Sequence, residues 1–267
     1  MIININKFRI VNINTLLVII NKINLMKRNM REFFNRVEDN ELVKIEVDLA
    51  AKDFQDTHPW LFSIFIKYDA FEDTDEKVAE FFELKEQVIM SLEYKDSAYY
   101  IGNRIIDNWS EIYFCAEDSK GLEAIANSVL KSSGYVFECN VVKDAKWEFY
   151  DFNIYPTDLE MCLMQSFKIT ELLEEEGDNL STCREVEHYA SFETSGHKDR
   201  FLEKATQAGY AFKDDLDAEE YDHGVAIIKE HAISEEDILQ LVSEVFALVE
   251  SENGSYELWS TLIQEKE

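Results

Sequence analysis

The nine residues Arg184-Glu-Val-Glu-His-Tyr-Ala-Ser-Phe192 constrain this chain more than any other stretch. They alternate in character, and a period of two is the mark of a half-buried strand. Before them stands a helix with an acidic end, then the turn Gly177-Asp178-Asn179. After them comes a helix over Lys198–Ala208, stopped by Gly209-Tyr210. A strand threaded between two helices fixes a sheet behind it, so the C-terminal half is read outward from here.

The rest of the chain alternates in the same way. Alternation over Leu42–Leu49 follows a short helix predicted at Met30–Val37. Trp60–Tyr68 is apolar at most positions and reads as a central strand. Asp75–Glu93 has helical spacing with Thr74 or Asp75 as its N-cap. Strands over Tyr99–Ile106 and Trp109–Glu117 join through Asp107-Asn108, a tight hairpin signal. Ser119 is the expected cap of a helix over Lys120–Ser132, and strands are expected at Tyr135–Val142 and Trp147–Tyr155.

Pro156 then breaks the chain, and a helix starts at Thr157 or Asp158 with an apolar stripe from Leu159 to Leu173. Beyond the Arg184–Phe192 strand and its helix come strands at Tyr210–Phe212 and His223–His231. Ser234 with Glu235-Glu236-Asp237 opens the next helix, and a last strand spans Tyr256–Leu262. Both halves thus spell βαββαβ. The expected fold class is α+β, two tandem ferredoxin-like modules with antiparallel sheets, over residues 30–155 and 156–267.

Charge limits what such a chain can bind. It has 55 acidic and 26 basic residues, a net charge of −29. Such a surface repels phosphate backbones, so no direct nucleic-acid partner is expected; a basic protein suits it better. Residues 1–29 are an Ile/Asn/Lys tract whose longest apolar run, Leu16–Ile20, is far short of a membrane span. We read the tract as an over-extended or disordered start, with Met26 or Met30 as the initiator, and expect no membrane partner. The four cysteines, Cys115, Cys139, Cys162 and Cys183, lack metal-ligand spacing and fit a reducing cytoplasm.

Several segments carry a family resemblance. They are Gly177-Asp178, Val186-Glu187-His188, the Ala-x-x-Ala-Gly-Tyr of Ala205, Ala208, Gly209 and Tyr210, and the Asn-Gly-x-Tyr-x-x-Trp of Asn253, Gly254, Tyr256 and Trp259. Over about residues 158–267 the chain resembles the regulator of ribonuclease activity B (RraB) family. Residues 40–155 look like an uncharacterised bacterial domain that often precedes it. The resemblance implies an acidic, cytoplasmic, non-catalytic protein that binds a ribonuclease E-type endonuclease and alters RNA turnover. Typical members are shorter and lack the N-terminal module.

Alternation places Val186, His188, Ala190 and Phe192 on one face of the key strand, and Glu185, Glu187, Tyr189 and Ser191 on the other. With Glu257, Trp259 and Thr261 of the last strand, Glu185, Glu187 and Tyr189 form the expected partner-binding face: aromatic anchors ringed by acids, on the side away from the helices. His188 is read as structural. Three other readings stay open: a small-molecule hydrolase using His188 or His58 with carboxylates, a purely structural interaction module, and homo-oligomerisation. No catalytic residue, cofactor or metal is expected. The loop Asp214–His223 invites a metal but lacks EF-hand spacing, so we read it as a solvated acidic loop.

Overall fold

The computed structural model describes residues 31–68, 74–216 and 223–264. The chain divides at Pro156 into two compact units. The basic tract of residues 1–29 and most of the acidic loop lie outside the described residues.

The first unit is an antiparallel six-stranded sheet in the order β1-β2-β4-β5-β3-β6. Its strands are β1 (Arg31–Glu38), β2 (Glu41–Asp48), β3 (Trp60–Lys67), β4 (Tyr99–Ile106), β5 (Trp109–Ala116) and β6 (Phe137–Lys143). Helices α1 (Asp75–Glu93) and α2 (Leu122–Leu130) cover one face. Thr74 caps α1 by accepting from the Lys77 amide, as its sequence predicts. Phe81, Val88, Ile89 and Leu92 of α1 bury against Phe62, Ile64, Ile66 and Phe114. Each such side chain contributes about 1.5–3 kcal/mol when taken fully out of water. On the opposite face a short 3-10 turn (Leu49–Phe54) and a π-helical turn (Tyr150–Ile154) close over Val47, Leu61, Ile101 and Tyr113.

Three expectations fail in this unit. Met30–Val37 is no helix: β1 pairs with β2 in register from Arg31↔Asp48 to Glu38↔Glu41. The decisive signal is the loop Asp39-Asn40, whose residues are both left-handed (φ 49° and 69°), the geometry of a tight hairpin. Trp147–Tyr155 is no strand either. Both Asp144 carboxylate oxygens accept backbone N–H groups, from Glu148 and Phe149, and this cap starts a helical turn. The second helix begins at Leu122 with left-handed Gly121 as its cap, so Ser119 lies outside it.

The second unit has helix α3 (Asp158–Glu175), strand β7 (Arg184–Phe192), helix α4 (Ser195–Gln207), strands β8 (Ala211–Leu216) and β9 (His223–His231), helix α5 (Glu235–Glu250) and strand β10 (Ser255–Thr261). The sheet is antiparallel in the order β10-β7-β9-β8. Thr157 and Glu160 form a reciprocal capping box at the start of α3. Ile169 and Leu173 of α3, Phe201 of α4 and Val242 of α5 share one core with Val186, Phe192 and Ile227 of the sheet. The α+β class and the antiparallel sheets therefore hold in both units.

One glycine is needed for space. A Cβ on Gly254 would lie 2.3 Å from the Phe192 ring and 2.9 Å from the Ser191 carbonyl oxygen. Gly254→Ala must therefore push β10 away from β7. We expect a loss of about 1–3 kcal/mol in urea unfolding of the whole chain. An unchanged midpoint would show that β10 adjusts freely.

Candidate functional site

The four segments that carry the resemblance meet inside the second unit. Gly177 is left-handed (φ 89°) and turns the chain out of α3, so that Asp178 points inward. Asp178 is 0% exposed, and its Oδ2 accepts from Arg184 Nη1 at 2.7 Å and from the Gln264 amide at 2.8 Å. The same guanidinium donates to the carbonyls of Thr182, Asn179 and Leu262. The turn is thus a buried clasp that joins the start of β7 to the residues following β10.

His188 lies at the centre of the core and is 0% exposed. Its Nδ1 is 2.9 Å from the Tyr256 hydroxyl, and its Nε2 is 3.5 Å from Nε2 of His231. His231 Nδ1 lies 2.6 Å from the Ala232 carbonyl, so that nitrogen carries the proton and donates it. One all-neutral arrangement then satisfies the chain: Tyr256 O–H donates to His188, His188 N–H to His231, and His231 N–H to Ala232. Burial, then the neighbouring His231 and Lys229, push the His188 pKa down to about 3. The Tyr210 ring stands edge-on to His188 at 5.7 Å.

The remaining motif residues support this arrangement. Ala205 fits under the core at 1% exposed, and left-handed Gly209 delivers Tyr210. Asn253 takes the left-handed conformation that ends α5. Trp259 pairs with His188 across the β10–β7 ladder. Nearly every motif position therefore has a packing role.

This geometry corrects the expected partner-binding face. Trp259 is 1% exposed and belongs to the helix-side core. The register of β10 shifts between Tyr256 and Leu258, where Glu257 bulges out. An extra residue reverses the facing of everything beyond it. Tyr189 does lie beside the acids, but it is 7% exposed and so offers no open aromatic anchor. Its hydroxyl donates to Glu187 at 3.0 Å and meets Ser260 Oγ at 2.7 Å.

The acids themselves are largely engaged. Glu257 accepts from Ser191 Oγ at 2.6 Å, and Thr261 Oγ1 donates to the Glu185 carbonyl at 2.7 Å. Lys213 reaches across β9 to bridge Glu185, at 3.2 Å, and Glu187. Partial burial lowers the Lys213 pKa, but the hydrogen bonds and charges of Glu187 and Glu185 outweigh it and the net shift is upward. Sequence reasoning missed this cation, although Lys213 is the only basic residue between Lys204 and Lys229. Glu185 keeps the most exposed carboxylate of the group, with 54% of its side chain accessible.

The residues named for hydrolytic chemistry are not placed for it. His188 is enclosed, as described. His58 is 6% exposed, with Nδ1 2.7 Å from Thr57 Oγ1 and its ring against Phe54 and Tyr99. The cavity beside it, lined by Cys115, Asp144 and Trp147 among others, holds about 10 Å³, room for about one water. Burial pushes the Cys115 thiol up to about 12, where almost no thiolate exists at neutral pH. Among the described residues no group of three or more His, Cys, Asp or Glu is placed to hold a metal ion. No helix among them is long and apolar enough to cross a membrane.

Residues 164–261 match the family model of Regulator of ribonuclease activity B, RraB. The RraB match begins within α3 and ends with β10, so it contains the His188 core, the Asp178–Arg184 pair of the clasp and all four strands of the sheet. Residues 28–153 match a second model, Family of unknown function (DUF695), in the expected order ahead of the RraB segment. No curated protein matches the chain. Among solved structures it is similar to "Crystal Structure of an Unknown Protein from Galdieria sulphuraria", at 11% identity over 76% of this chain and 96% of that one. The TM-score there is 0.18 and carries no argument about the fold.

Proposed function

We propose that this protein is a non-catalytic, cytoplasmic regulator that binds a ribonuclease E-type endonuclease and alters RNA turnover. The observation that carries the reading is the RraB match over residues 164–261. The charge of −29 supports it, because a strongly acidic chain is steered toward a basic protein surface and away from RNA. The enclosed His188 supports a binding role over chemistry. Of the face first expected to contact the partner, we retain Glu185, Glu187, Glu257 and Thr261. Glu185 leads, since its carboxylate keeps the most access.

We also infer that both units follow the ferredoxin-like plan. In each, a strand–helix–hairpin–helix–strand run gives a sheet whose chain-order strands lie 4-1-3-2, as β10-β7-β9-β8 and as β6-β3-β5-β4. The first unit adds the β1–β2 hairpin beside β4.

The test is a binding titration of the purified chain against a ribonuclease E-type endonuclease, with RNA cleavage measured in parallel. We expect binding that weakens as salt rises and a cleavage rate that changes on binding. Reversing Glu185 and Glu187 to lysine should weaken binding by about fivefold, in line with exposed charge pairs. Absence of binding at low salt would overturn the reading.

A further inference from the structure

Each outer strand of the second sheet carries a bulge. β8 pairs with β9 through Phe212↔Ile227 and then Asp214↔Ala226, so Lys213 is the extra residue. β10 pairs with β7 through Tyr256↔Ala190 and then Leu258↔Tyr189, so Glu257 is the extra residue there. Tyr189 and Ala226 are themselves partners. Both bulges therefore border one row of the sheet, and each adds a charged residue beside it. A bulge re-aims the side chain it carries.

On β8 the re-aimed side chain is a cation. β7 lies two strand spacings away, about 10 Å, a span that needs both a long donor and a long acceptor. Lys213 makes that span to Glu185, at 3.2 Å, and to Glu187. Its sequence neighbours are acids with other partners: Asp215 accepts from Lys198 at 2.8 Å, and Asp214 from the Asp215 amide at 2.9 Å. The bridge lies in water, with 35% of the Lys213 side chain accessible against 54% for Glu185 and 27% for Glu187. Ion pairs this exposed add little to stability, so the bridge opens at small cost.

We propose that Lys213 is an internal competitor: its ammonium holds, on Glu185 and Glu187, the place that a lysine or arginine of the partner takes, and binding displaces it. This rests on the reading that the acid face receives a basic protein. The contact then acts as a threshold. A partner offering a single cation exchanges one ion pair for another and gains nothing. A surface with several cations also reaches Glu257, on the far side of the row, and gains from it. Lys213 thereby selects clustered positive charge over isolated basic side chains, a specificity set by raising the cost of the wrong partner.

The test is a pair of low-salt titrations of the full chain, one with a hexalysine peptide and one with a ribonuclease E-type endonuclease. Lys213→Gln removes the competing charge and should bind each about threefold more tightly than wild type, the size of one exposed ion pair. Lys131→Gln removes the same charge from an exposed position of the first unit and should leave both affinities unchanged. In an E185Q/E187Q background K213Q should have no further effect, because no carboxylate remains to be uncovered. Equal affinity of wild type and K213Q for hexalysine, no binding of hexalysine by either, or the same gain in K131Q would overturn the proposal. The ribonuclease reading would then stand or fall on the nuclease titration alone. A gain with hexalysine while the nuclease binds neither form would uphold the competitor and overturn that reading.

Discussion

Replacing Asp178 by alanine is expected to remove about 3–5 kcal/mol of stability from the second unit, the range measured when one partner of a buried ion pair is deleted. Asp178 and Arg184 have side chains 0% and 2% exposed, so water cannot solvate the charge left behind. The loss extends past the pair. Asp178 also accepts from the Gln264 amide, and the Asn179 amide donates to the Gln264 carbonyl at 2.8 Å. The residues after β10 therefore lose their attachment when the carboxylate goes. Urea unfolding followed by circular dichroism would read the effect. D178N, which keeps one acceptor oxygen, should lose less than D178A. Equal midpoints for wild type and D178A would mean that the clasp carries no net stability.

Acid should destabilise the second unit well before the carboxylates are all protonated. His188 titrates near 6.5 when unfolded, and burial pushes it down to about 3 in the folded chain. Between those values the unfolded state binds the extra proton, so stability rises with pH there. The contribution is complete above about pH 6.5 and is lost as pH falls toward 3. The slope is about 1.4 kcal/mol per pH unit, or roughly 3 kcal/mol between pH 6.5 and 4. His231, also shifted down by burial, acts in the same direction. Groups facing the pair are Tyr256 on β10, Tyr210 before β8, Lys229 on β9, and Asp237 and Glu244 on α5. Because some of these also titrate, the informative comparison is with H188Q, which keeps hydrogen-bonding capacity but cannot charge. Its stability profile should be flatter than wild type by about one proton across this range. Parallel profiles would show that His188 is not the group that takes up the proton.

Both effects fall on residues of the family motifs, and both concern stability. The motif positions assemble a clasp and a buried histidine core, while Glu185, the most exposed acid of the expected face, lies outside the short motif segments. Binding variants and folding variants should therefore separate: E185K should alter partner affinity with little change in the urea midpoint, and D178A the reverse.

Local chemistry in the sequence was enough for much of the fold. Caps at Thr74, Thr157 and Ser234 mark helix starts because their side-chain oxygens meet amides three residues on. Asp107-Asn108 marks a hairpin because both residues adopt the left-handed conformation (φ 45° and 62°). The alternation of Arg184–Phe192 correctly sent Val186 and His188 inward. In each case the deciding interaction lies within a few residues along the chain.

What failed depended on distant partners. The β1 strand is held by pairing with β2, and the same residues read alone suit a helix. The turn after Trp147 exists because Asp144 caps it and because Trp147 Nε1 donates to the His58 carbonyl at 2.9 Å. The extra residue at Glu257 carried Trp259 from the open face to the core, since facing in a strand is a matter of odd and even. Lys213 quiets the acids of β7 from two strands away, a neighbourhood set by strand order alone. Periodicity determined which residues alternate; only the tertiary register decided which of them water can reach.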